Sequence, residues 1–482
     1  MVYFQSQTFK ASVVKLGGPM KLPRHSMKYG REDFNTKGTC EEGRMSCKEK
    51  VRIVQKLMPN FCKDVSEEIE CARGKLAQMK DRSVGIIMKR ALLDCGRVLS
   101  WGSNSEDDGM GDLGSGEVTT RVEELDVVIE FIWEQLNTGH WKQVPEVWRK
   151  LYAYATLFKV ILLLAGDVPT SEVIKVCDLG LLLGAPILNN IMSKIAFRLH
   201  VSQNASLDLG AADARLVRER HLGESSFVEG KQRESVLRNQ FPSRFQLGEL
   251  LRPSIETFVQ EYFLPQKPVL LRGVIEHWSA MQKWNVDYIK QRAGSRTVPI
   301  EIGSKYTSEE WTQKLVTMDD FIDNYVLASS VAERSKGYLA QHQLFLQIPE
   351  LLQDLGIPEY CYVGNDEDIE INAWFGPAGT VSPTHYDPKH NLLTQIFGEK
   401  IIRLFPPSEW NKLYPHDSES MLFNTSQIDV EDPNFSTEFP NSARAKYADV
   451  VLEPGTVLYM PPKWAHFVKS LSPSFSVSFW FQ

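Results

Sequence analysis

The segment Ser382-Pro-Thr-His-Tyr-Asp-Pro388 carries two potential metal ligands separated by one residue. In an extended strand, residues i and i+2 project from the same face, so His385 and Asp387 would present an imidazole and a carboxylate side by side. A third nitrogen ligand is available in His466, within Pro461-Pro-Lys-Trp-Ala-His-Phe-Val468. Two histidines and one carboxylate on one face of a metal leave three positions open, which is the facial triad of non-heme Fe(II) oxygenases. The spacing therefore predicts an iron site.

The pair and the other histidines of the chain also have interpretations without a metal. A His-x-Asp pair alone is weak evidence, because such pairs occur by chance and a surface turn before Pro388 would look the same. His390 is expected to point away from the metal, and His416 lies in a turn-like segment. His277 and His342 are interpreted as packing or hydrogen-bonding residues. Because the chain has no HExxH motif to supply zinc ligands with a general base, a metallopeptidase is disfavoured.

The three open positions suit a 2-oxo acid, which can chelate iron through its C1 carboxylate and keto oxygen while O2 takes the third place. A dicarboxylate such as 2-oxoglutarate also needs a cation for its far carboxylate. Lys400 opens the run Ile401–Phe405 after a Phe-Gly-Glu turn, and a lysine is a point donor suited to that carboxylate. Hydroxyls of Ser382, Thr384 and Tyr338 could add hydrogen bonds. Lys400 alone would be interpreted as an exposed hairpin lysine; together with the triad it predicts a 2-oxoglutarate site.

The C-terminal half has the pattern of an antiparallel β-protein. Many short apolar runs between Pro and Gly residues are typical of a sandwich or barrel. Alternate residues of the last run, from Phe475 to Phe481, should share one face. Helices are expected outside the barrel, around Ser254–Phe263 and Met318–Tyr325. The predicted strands are Pro268–Leu271, Thr297–Ile302, Ile369–Trp374, Leu392–Phe397, Ile401–Phe405, Val450–Leu452, Thr456–Tyr459 and Phe475–Phe481.

Residues 42–200 show helical periodicity instead. In Val122–Asn137 and again from Trp148 to Ile161, apolar residues recur at three- and four-residue spacing, which gives each helix one apolar face. A third apolar block runs from Leu179 to Leu199. Antiparallel helices joined by short loops form a bundle or a repeat-like stack. This region carries no evident chemistry, so we interpret it as a scaffold or docking surface.

These patterns predict an α+β chain with four parts. Residues 1–41 are expected to be a disordered basic extension, because the first 31 residues contain six Lys or Arg and no acid; a targeting segment is the alternative. Residues 42–200 are the helical domain, interrupted by an acidic loop at 103–116. Residues 201–245 are polar and mixed in charge, as linkers are. Residues 246–482 are the catalytic domain.

Composition excludes several classes of protein. No apolar run approaches the roughly 20 residues needed to cross a bilayer, so no membrane partner is expected. The net charge is −7, which gives no electrostatic case for a nucleic-acid site and suits a basic partner. The seven cysteines are scattered, without a CxxC pair. Such a set fits reduced thiols of the nucleus or cytoplasm better than a disulfide framework.

The sequence resembles a known family, the Jumonji C (JmjC) oxygenases. The resemblance rests on Ala373-Trp-Phe-Gly-Pro-Ala-Gly-Thr-Val-Ser-Pro-Thr-His-Tyr-Asp387, Leu413-Tyr-Pro-His-Asp417, Asn424-Thr-Ser-Gln427 and Ser476-Val-Ser-Phe-Trp480. It covers the chain from about Leu250 to the C-terminus. The stretches Trp133–Gly139 and Cys177–Leu183 are similar to the helical N-terminal region of a member of that family. The basic extension and the acidic loop have no counterpart.

The resemblance implies a double-stranded β-helix, or cupin fold, and Fe(II), 2-oxoglutarate and O2 as reactants. It implies three iron ligands: His385, Asp387 and His466. It implies contacts to 2-oxoglutarate from four residues: Tyr338, Ser382, Asn391 and Lys400. Three residues match positions expected near the substrate: Glu301, Trp374 and Trp480. The triad and Lys400 are intact, which argues against an inactive relative.

For the reaction, the resemblance favours C-hydroxylation of arginyl residues in a basic protein substrate. The alternative within the same class is demethylation of histone methyl-lysine, at lysine 36 of histone H3, in a chromatin regulator of the nucleus. Trp374 and Trp480 could stack on a guanidinium or bracket a methylated ammonium, and Glu301 could neutralise either; the plain alternative is that both tryptophans are core. A histone-tail peptidase and a non-catalytic module that binds a basic peptide remain further hypotheses.

Overall fold

A computed structural model of the chain describes residues 45–61, 63–65, 82–101, 115–139, 144–204, 243–303, 305–307, 310–328, 336–364, 368–432 and 434–482. They form two compact units. One contains the described residues up to Asn204 together with Ser295–Thr297, and the other contains the rest. The predicted basic extension 1–41, most of the acidic loop 103–116 and most of the linker 201–245 lie outside the described residues. The three boundaries between the four predicted parts stay predictions.

The first unit is helical. Helix α4 is its centre and packs against four others, α1, α2, α3 and α5. Thirteen of the fourteen residues from Leu151 to Leu164 are buried, with Lys159 the exception, and a helix that is apolar on all sides belongs in the middle of a core. The helices are α1 Cys47–Leu57, α2 Arg82–Trp101, α3 Ser115–Asn137, α4 Glu146–Ala165, α5 Thr170–Leu183 and α6 Ile191–Asn204.

The predicted apolar block from Leu179 to Leu199 contains the end of one helix and the beginning of the next. The break lies between α5 and α6, where the chain passes Gly184 and Pro186. Three consecutive residues there, Leu188 to Asn190, have positive φ angles. A right-handed helix cannot continue through such a conformation, so the apolar residues on either side pack from two separate helices.

The second unit contains two β-sheets. One has five strands in the order β1-β11-β10-β13-β8, and the other has nine in the order β2-β3-β12-β9-β14-β7-β6-β4-β5. The strands are β1 Ser243–Arg244, β2 Gly248–Leu251, β3 Val269–Arg272, β4 Thr297–Ile302, β5 Thr312–Thr317, β6 Gly337–His342, β7 Glu370–Gly376, β8 Val381–His385, β9 His390–Phe397, β10 Lys400–Phe405, β11 Lys446–Leu452, β12 Val457–Met460, β13 Ala465–Ser470 and β14 Ser474–Phe481.

Short helices accompany the nine-stranded sheet. The predicted helices at Ser254–Phe263 and Met318–Tyr325 are confirmed, but each begins as an α-helix and continues as a π-helix, over Val259–Phe263 and Ile322–Val326. No helix among the described residues is long and apolar enough to cross a membrane. The α-helices are α7 Ile255–Phe258, α8 Ala280–Lys283, α9 Val286–Ala293, α10 Met318–Phe321, α11 Leu344–Gln347, α12 Pro349–Leu352 and α13 Phe435–Glu438.

Three apolar clusters show how the layers of the second unit pack. The largest lies on the outer face of the nine-stranded sheet, where alternate residues of β14 from Phe475 to Phe481 meet the helices; the predicted alternation is confirmed. A second lies on the outer face of the five-stranded sheet. The third, which we call the interior cluster, joins both sheets and therefore lies between them: Leu270, Leu393, Ile402, Leu404, Val450, Leu452, Leu458 and Met460. The inner faces of the two sheets thus enclose a filled barrel.

Candidate metal centre and active site

Antiparallel pairing of β8 with β13 brings the three predicted ligands together. His385 and His466 are direct partners across the two strands, and their ring centroids lie 4.4 Å apart. Asp387 follows the end of β8, with its Oδ2 3.7 Å from His466 Nε2. One ligand atom from each of the three residues lies within 4.8 Å of the other two. Two imidazoles and a carboxylate at this spacing could hold a single metal ion.

Both histidines offer the same ring nitrogen, Nε2, as the potential metal ligand. His385 Nδ1 donates to the carbonyl oxygen of Pro383 at 2.7 Å, and His466 Nδ1 donates to that of Trp464 at 3.0 Å. A proton on Nδ1 leaves Nε2 with a free lone pair, which is how protein structures orient metal-binding histidines. Burial and the neighbouring His385 lower the pKa of His466 to about 4. The site therefore keeps His466 neutral at physiological pH, in the form that a metal requires.

The chain around Asp387 is held on both sides. Between the two ligands, Tyr386 N–H donates to the carbonyl oxygen of Asn424 at 3.0 Å, and Asn424 Nδ2 donates back to that of Tyr386 at 2.8 Å. Lys463 N–H donates to the Asp387 carbonyl oxygen at 2.9 Å, and Thr425 forms a bridge with His385. The segment Asn424–Gln427, part of the sequence resemblance, thus contributes by fixing the ligand-bearing chain.

A β-bulge explains why Ser382 faces the same cavity as His385. Regular alternation puts residues three apart on opposite faces. Between the pairs His385–His466 and Ser382–Val468, however, β8 advances by one residue more than β13. The extra residue returns Ser382 to the inner face. Thr384 is buried without lining this cavity, so the cavity offers no support for the hydrogen bond that was considered for its hydroxyl.

One cavity contains the triad and all four residues predicted to contact 2-oxoglutarate. Its floor and walls include three apolar side chains, Leu393, Met460 and Val468, which keep part of the lining dry. The polar lining residues are Tyr338, Trp374, Ser382, His385, Asp387, Asn391, Lys400 and His466.

Lys400 is the unusual member of this lining. Its side chain is 1% exposed, and Nζ lies 3.4 Å from the Tyr338 hydroxyl oxygen. Among the described residues it forms no ion pair, and burial lowers its pKa to about 7. Gly398 sets the hairpin that delivers it: its φ is +69°, and a Cβ there would overlap the carbonyl oxygen of Pro473. A buried cation without an anion is costly, and an anionic ligand would relieve the cost.

The residues present therefore fit the reactants that the sequence implies. The donor set is two neutral nitrogens and one carboxylate, which suits Fe(II) with open positions. Asn391 Oδ1 is buried and has no hydrogen-bond partner among the described residues, and Lys400 lacks an anion. These unused polar groups lie in the cavity that the triad enters. His385, Asp387 and His466 would hold the metal, and Lys400 would hold the far carboxylate of 2-oxoglutarate.

The three residues predicted to lie near the substrate differ in whether they line the cavity. Trp374 lines the cavity, and its Nε1–H donates to Ser478 Oγ at 2.9 Å. Glu301 is the cross-strand partner of Tyr338 but does not line the cavity. Trp480 pairs with Asn391 across β14 and β9, and its buried indole nitrogen has no partner among the described residues; it does not line the cavity either. Their contacts with a substrate stay predictions.

Two aromatic residues near the site carried no signal in the sequence. Trp311 Nε1–H donates to Glu301 Oε2 at 3.2 Å, yet burial still raises the Glu301 pKa to about 7. Tyr306 lies edge-on to the His385 ring, with centroids 6.3 Å apart, and its hydroxyl lies 3.3 Å from Thr425 Oγ1. Burial, and then the charges of Glu301 and Asp387, raise the Tyr306 pKa. Because both aromatic residues lie outside any strand, no periodicity could have indicated them.

Comparison with known proteins agrees with this geometry. A family model described as "Cupin-like domain" matches residues 255–482, and one described as "KDM8-like, N-terminal ARM repeats" matches residues 115–210. These matches confirm the predicted α+β class, with a C-terminal cupin domain and a helical N-terminal region.

Several curated relatives are similar along most of their length. "Lysine-specific demethylase 8" of Xenopus tropicalis is 42% identical, over 74% of this chain and 87% of the relative. The protein of the same name from Danio rerio is 43% identical with the same coverage. "Jumonji C domain-containing protein 5" of Drosophila melanogaster is 41% identical, over 77% of this chain and 89% of the relative. The chain therefore belongs to the JmjC family of Fe(II)- and 2-oxoglutarate-dependent oxygenases that includes these proteins.

Proposed function

We propose that this enzyme oxidises a C–H bond on a basic side chain of a protein substrate, and that the main target is the N-methyl group of a methylated lysine. One observation carries the proposal: a single cavity holds the His-Asp-His set and a buried, unpaired lysine. The choice of methyl-lysine is supported by the names of the relatives, which include "Lysine-specific demethylase JMJ30" of Arabidopsis thaliana, 39% identical over 84% of its length.

The metal, when bound, activates O2 for oxidation of a C–H bond at the expense of 2-oxoglutarate. One oxygen atom of O2 enters the succinate that forms with CO2, and the other converts C–H to C–OH. On an N-methyl group, the hydroxylated carbon then leaves as formaldehyde, the C–N bond breaks and the nitrogen takes the proton. Oxidation of an arginyl carbon would instead stop at the alcohol.

The protein's own side chains position these reactants. Lys400 pairs with the far carboxylate of 2-oxoglutarate, and the Tyr338 and Ser382 hydroxyls lie in the same cavity to donate hydrogen bonds. The apolar walls formed by Leu393, Met460 and Val468 limit the access of water. In this arrangement the cosubstrate would extend from His385, Asp387 and His466 towards Lys400.

Arginyl C-hydroxylation is the second candidate. It is supported by the sequence resemblance and by Glu301, which is the cross-strand partner of the cavity residue Tyr338. A carboxylate suits the planar fork of a guanidinium, which can form two parallel hydrogen bonds. Among the described residues, Trp374 is the one tryptophan that lines the cavity. A single indole can stack on a guanidinium as well as on a methylated ammonium. Both substrates are cationic, in keeping with the net charge of −7.

The two candidates separate in a peptide-panel assay with the full chain, Fe(II) and 2-oxoglutarate. Peptides carry trimethyl-lysine, dimethyl-lysine, unmodified lysine or arginine, and each reaction is read by succinate formation and mass spectrometry. Demethylation removes about 14 Da from a methyl-lysine peptide, whereas hydroxylation adds about 16 Da to an arginine peptide. The Asp387→Ala protein is the matched inactive control. We expect the loss of mass; a gain on arginine would replace the main proposal by the second.

The remaining hypotheses have their own outcomes in this assay. Peptide binding without any succinate would favour a non-catalytic basic-peptide module. Backbone cleavage would favour a histone-tail peptidase. We further propose a histone or another basic protein as the partner, and hence the nucleus, the cytoplasm or both as the location; cell fractionation of the tagged chain tests this.

A further inference from the structure

The segment from Asp417 to Phe423, which we call the lip, is attached directly to the metal-binding chain. The residue after it, Asn424, exchanges two hydrogen bonds with Tyr386, which lies between two of the ligands. Consecutive Cα atoms are about 3.8 Å apart. Phe423 is therefore one residue step from a chain segment that is locked to His385 and Asp387. The lip is therefore adjacent in the chain to a residue that is bonded to the metal-binding segment.

The lip is also ordered by its own hydrogen bonds. The Asp417 carboxylate accepts a hydrogen bond from the N–H of Glu419 at 3.1 Å. The carbonyl oxygen of Asp417 accepts one from the N–H of Ser420 at 2.9 Å. Ser420 Oγ accepts from the N–H of Leu422 at 3.1 Å, and its carbonyl accepts from the N–H of Phe423 at 3.2 Å. These successive turns hold the backbone in one shape, so its side chains are presented to solvent in a fixed arrangement.

The side chains presented are an unusual mixture for a surface turn. Met421 is 62% exposed and Phe423 is 49% exposed. Two large exposed apolar residues separated by one position, next to a residue bonded to the metal-binding segment, are suited to contact with a partner. Asp417 and Glu419 are both exposed. Neither forms a salt bridge with a basic group of the described residues. The lip therefore offers two exposed acids that form no salt bridge with the described residues, and two apolar anchors.

We propose that the lip docks the polypeptide on either side of the target residue. Cationic side chains of the substrate would lie opposite Asp417 and Glu419, and an apolar side chain would pack on Met421 and Phe423 while the target residue enters the cavity. The net charge of −7 disfavours a second copy of the acidic chain, and the hydrogen bonds between Asn424 and Tyr386 place the lip near the metal ligands; both favour the substrate as the occupant. The proposal rests on the proposed function, since it needs a basic protein substrate.

Docking of this kind affects binding rather than the chemical step. Exposed charges mainly steer association and give it a salt dependence, whereas exposed aromatic and Met side chains contribute as anchors. The lip contributes none of the three ligands and does not line the cavity. Its removal should therefore raise KM for a long peptide and leave kcat unchanged.

The test compares two substrates of the full-length enzyme. One is a peptide of about 15 residues with basic and apolar residues flanking the target, long enough to reach across a protein surface. The other is the same target residue as an N-acetyl amide without flanks. The variants are Asp417→Lys with Glu419→Lys, and Met421→Ser with Phe423→Ser. The matched control is Glu359→Lys with Leu251→Ser, also exposed residues but outside the lip.

We expect each lip variant to raise KM for the long peptide about tenfold, with an unchanged KM for the short amide. The charge-reversed variant should also lose the salt dependence of KM and gain activity on a peptide with acidic flanks. An equal KM for wild type and variants on the long peptide would overturn the docking proposal while leaving the oxygenase function intact. If the wild type oxidised no basic peptide at all, the proposed function itself would be wrong.

Discussion

The space between the two sheets contains two regions built from the same strands, and they do opposite things. The interior cluster consists of apolar residues that exclude water and stabilise the fold. The site cavity gathers a carboxylate, two imidazoles and a cation. In β10, Lys400 belongs to the cavity, whereas Ile402 and Leu404, on the same face, belong to the cluster. Lys400 is as deeply buried as Ile402 and Leu404, so along β10 the side-chain chemistry, and not the depth of burial, separates function from stability.

The contrast has a thermodynamic meaning. Burying apolar surface contributes about 25 cal/mol per Å², whereas burying an unpaired charge costs free energy. We therefore expect substitutions in the cavity to remove activity and spare stability, and substitutions in the interior cluster to do the reverse. Leu393 and Met460 belong to both regions and should show both effects.

The largest effect is expected from Asp387→Ala, which removes the anionic ligand. Succinate formation should fall at least about 1000-fold, equivalent to about 4 kcal/mol, and tight Fe(II) binding should be lost. The midpoint of chemical unfolding without metal should change little, because the lost carboxylate mainly contributes to the metal site. Calorimetric metal titration, turnover and urea unfolding measure the three quantities. Turnover at the wild-type rate would contradict the assignment of the ligand.

The opposite variant is Leu458→Ala, in the interior cluster and fully buried. Deleting a core leucine costs about 2–5 kcal/mol, because apolar contacts are lost and a cavity remains. Urea unfolding should show this loss, while metal affinity and the KM for 2-oxoglutarate stay close to wild type at low temperature. A loss of activity without a loss of stability would break the comparison between the two regions.

Lys400→Met tests the cavity without removing the metal. Methionine keeps much of the side-chain volume but cannot pair with a carboxylate, so the Kd for 2-oxoglutarate should rise about 100-fold, equivalent to about 2.7 kcal/mol. Since the buried ammonium has no anion among the described residues, unfolding stability should not decrease. Lys400→Arg is the matched control that keeps the charge. An unchanged Kd in Lys400→Met would place the far carboxylate elsewhere.

The smallest expected effect is the pH dependence of the contact between Lys400 and 2-oxoglutarate. Burial lowers the pKa of Lys400 to about 7, so the free enzyme loses this proton as the pH rises through 7. The carboxylate of 2-oxoglutarate favours the protonated form, so binding above pH 7 takes up a proton. Affinity should then fall by up to about tenfold per pH unit. Isothermal titration from pH 6 to 9, with metal saturating, measures it, and the slope should be absent in Lys400→Met.

Much of the secondary structure followed from local pattern. The predicted strand Thr297–Ile302 has the observed bounds, and those in Leu392–Phe397 and Ile401–Phe405 begin only two and one residues late. Strands β1, β2, β5, β6 and β13 were not predicted. Their sequences contain polar residues or Gly and show no clear alternation, because they pair at sheet edges or line the cavity. Asp387, predicted within a strand, instead follows the last residue of β8.

The sequence by itself determined the chemistry: the closely spaced pair His385 and Asp387, the distant His466, Lys400 and the family were recognisable because residue type and local sequence context are properties of the chain. Tertiary structure alone decided which of these groups share a cavity. The bulge that turns Ser382 inward, the exclusion of Trp480 from the lining and the approach of Tyr306 to His385 all depend on strand pairing and packing between distant segments. Such contacts follow from long-range packing, which no local pattern of residues specifies.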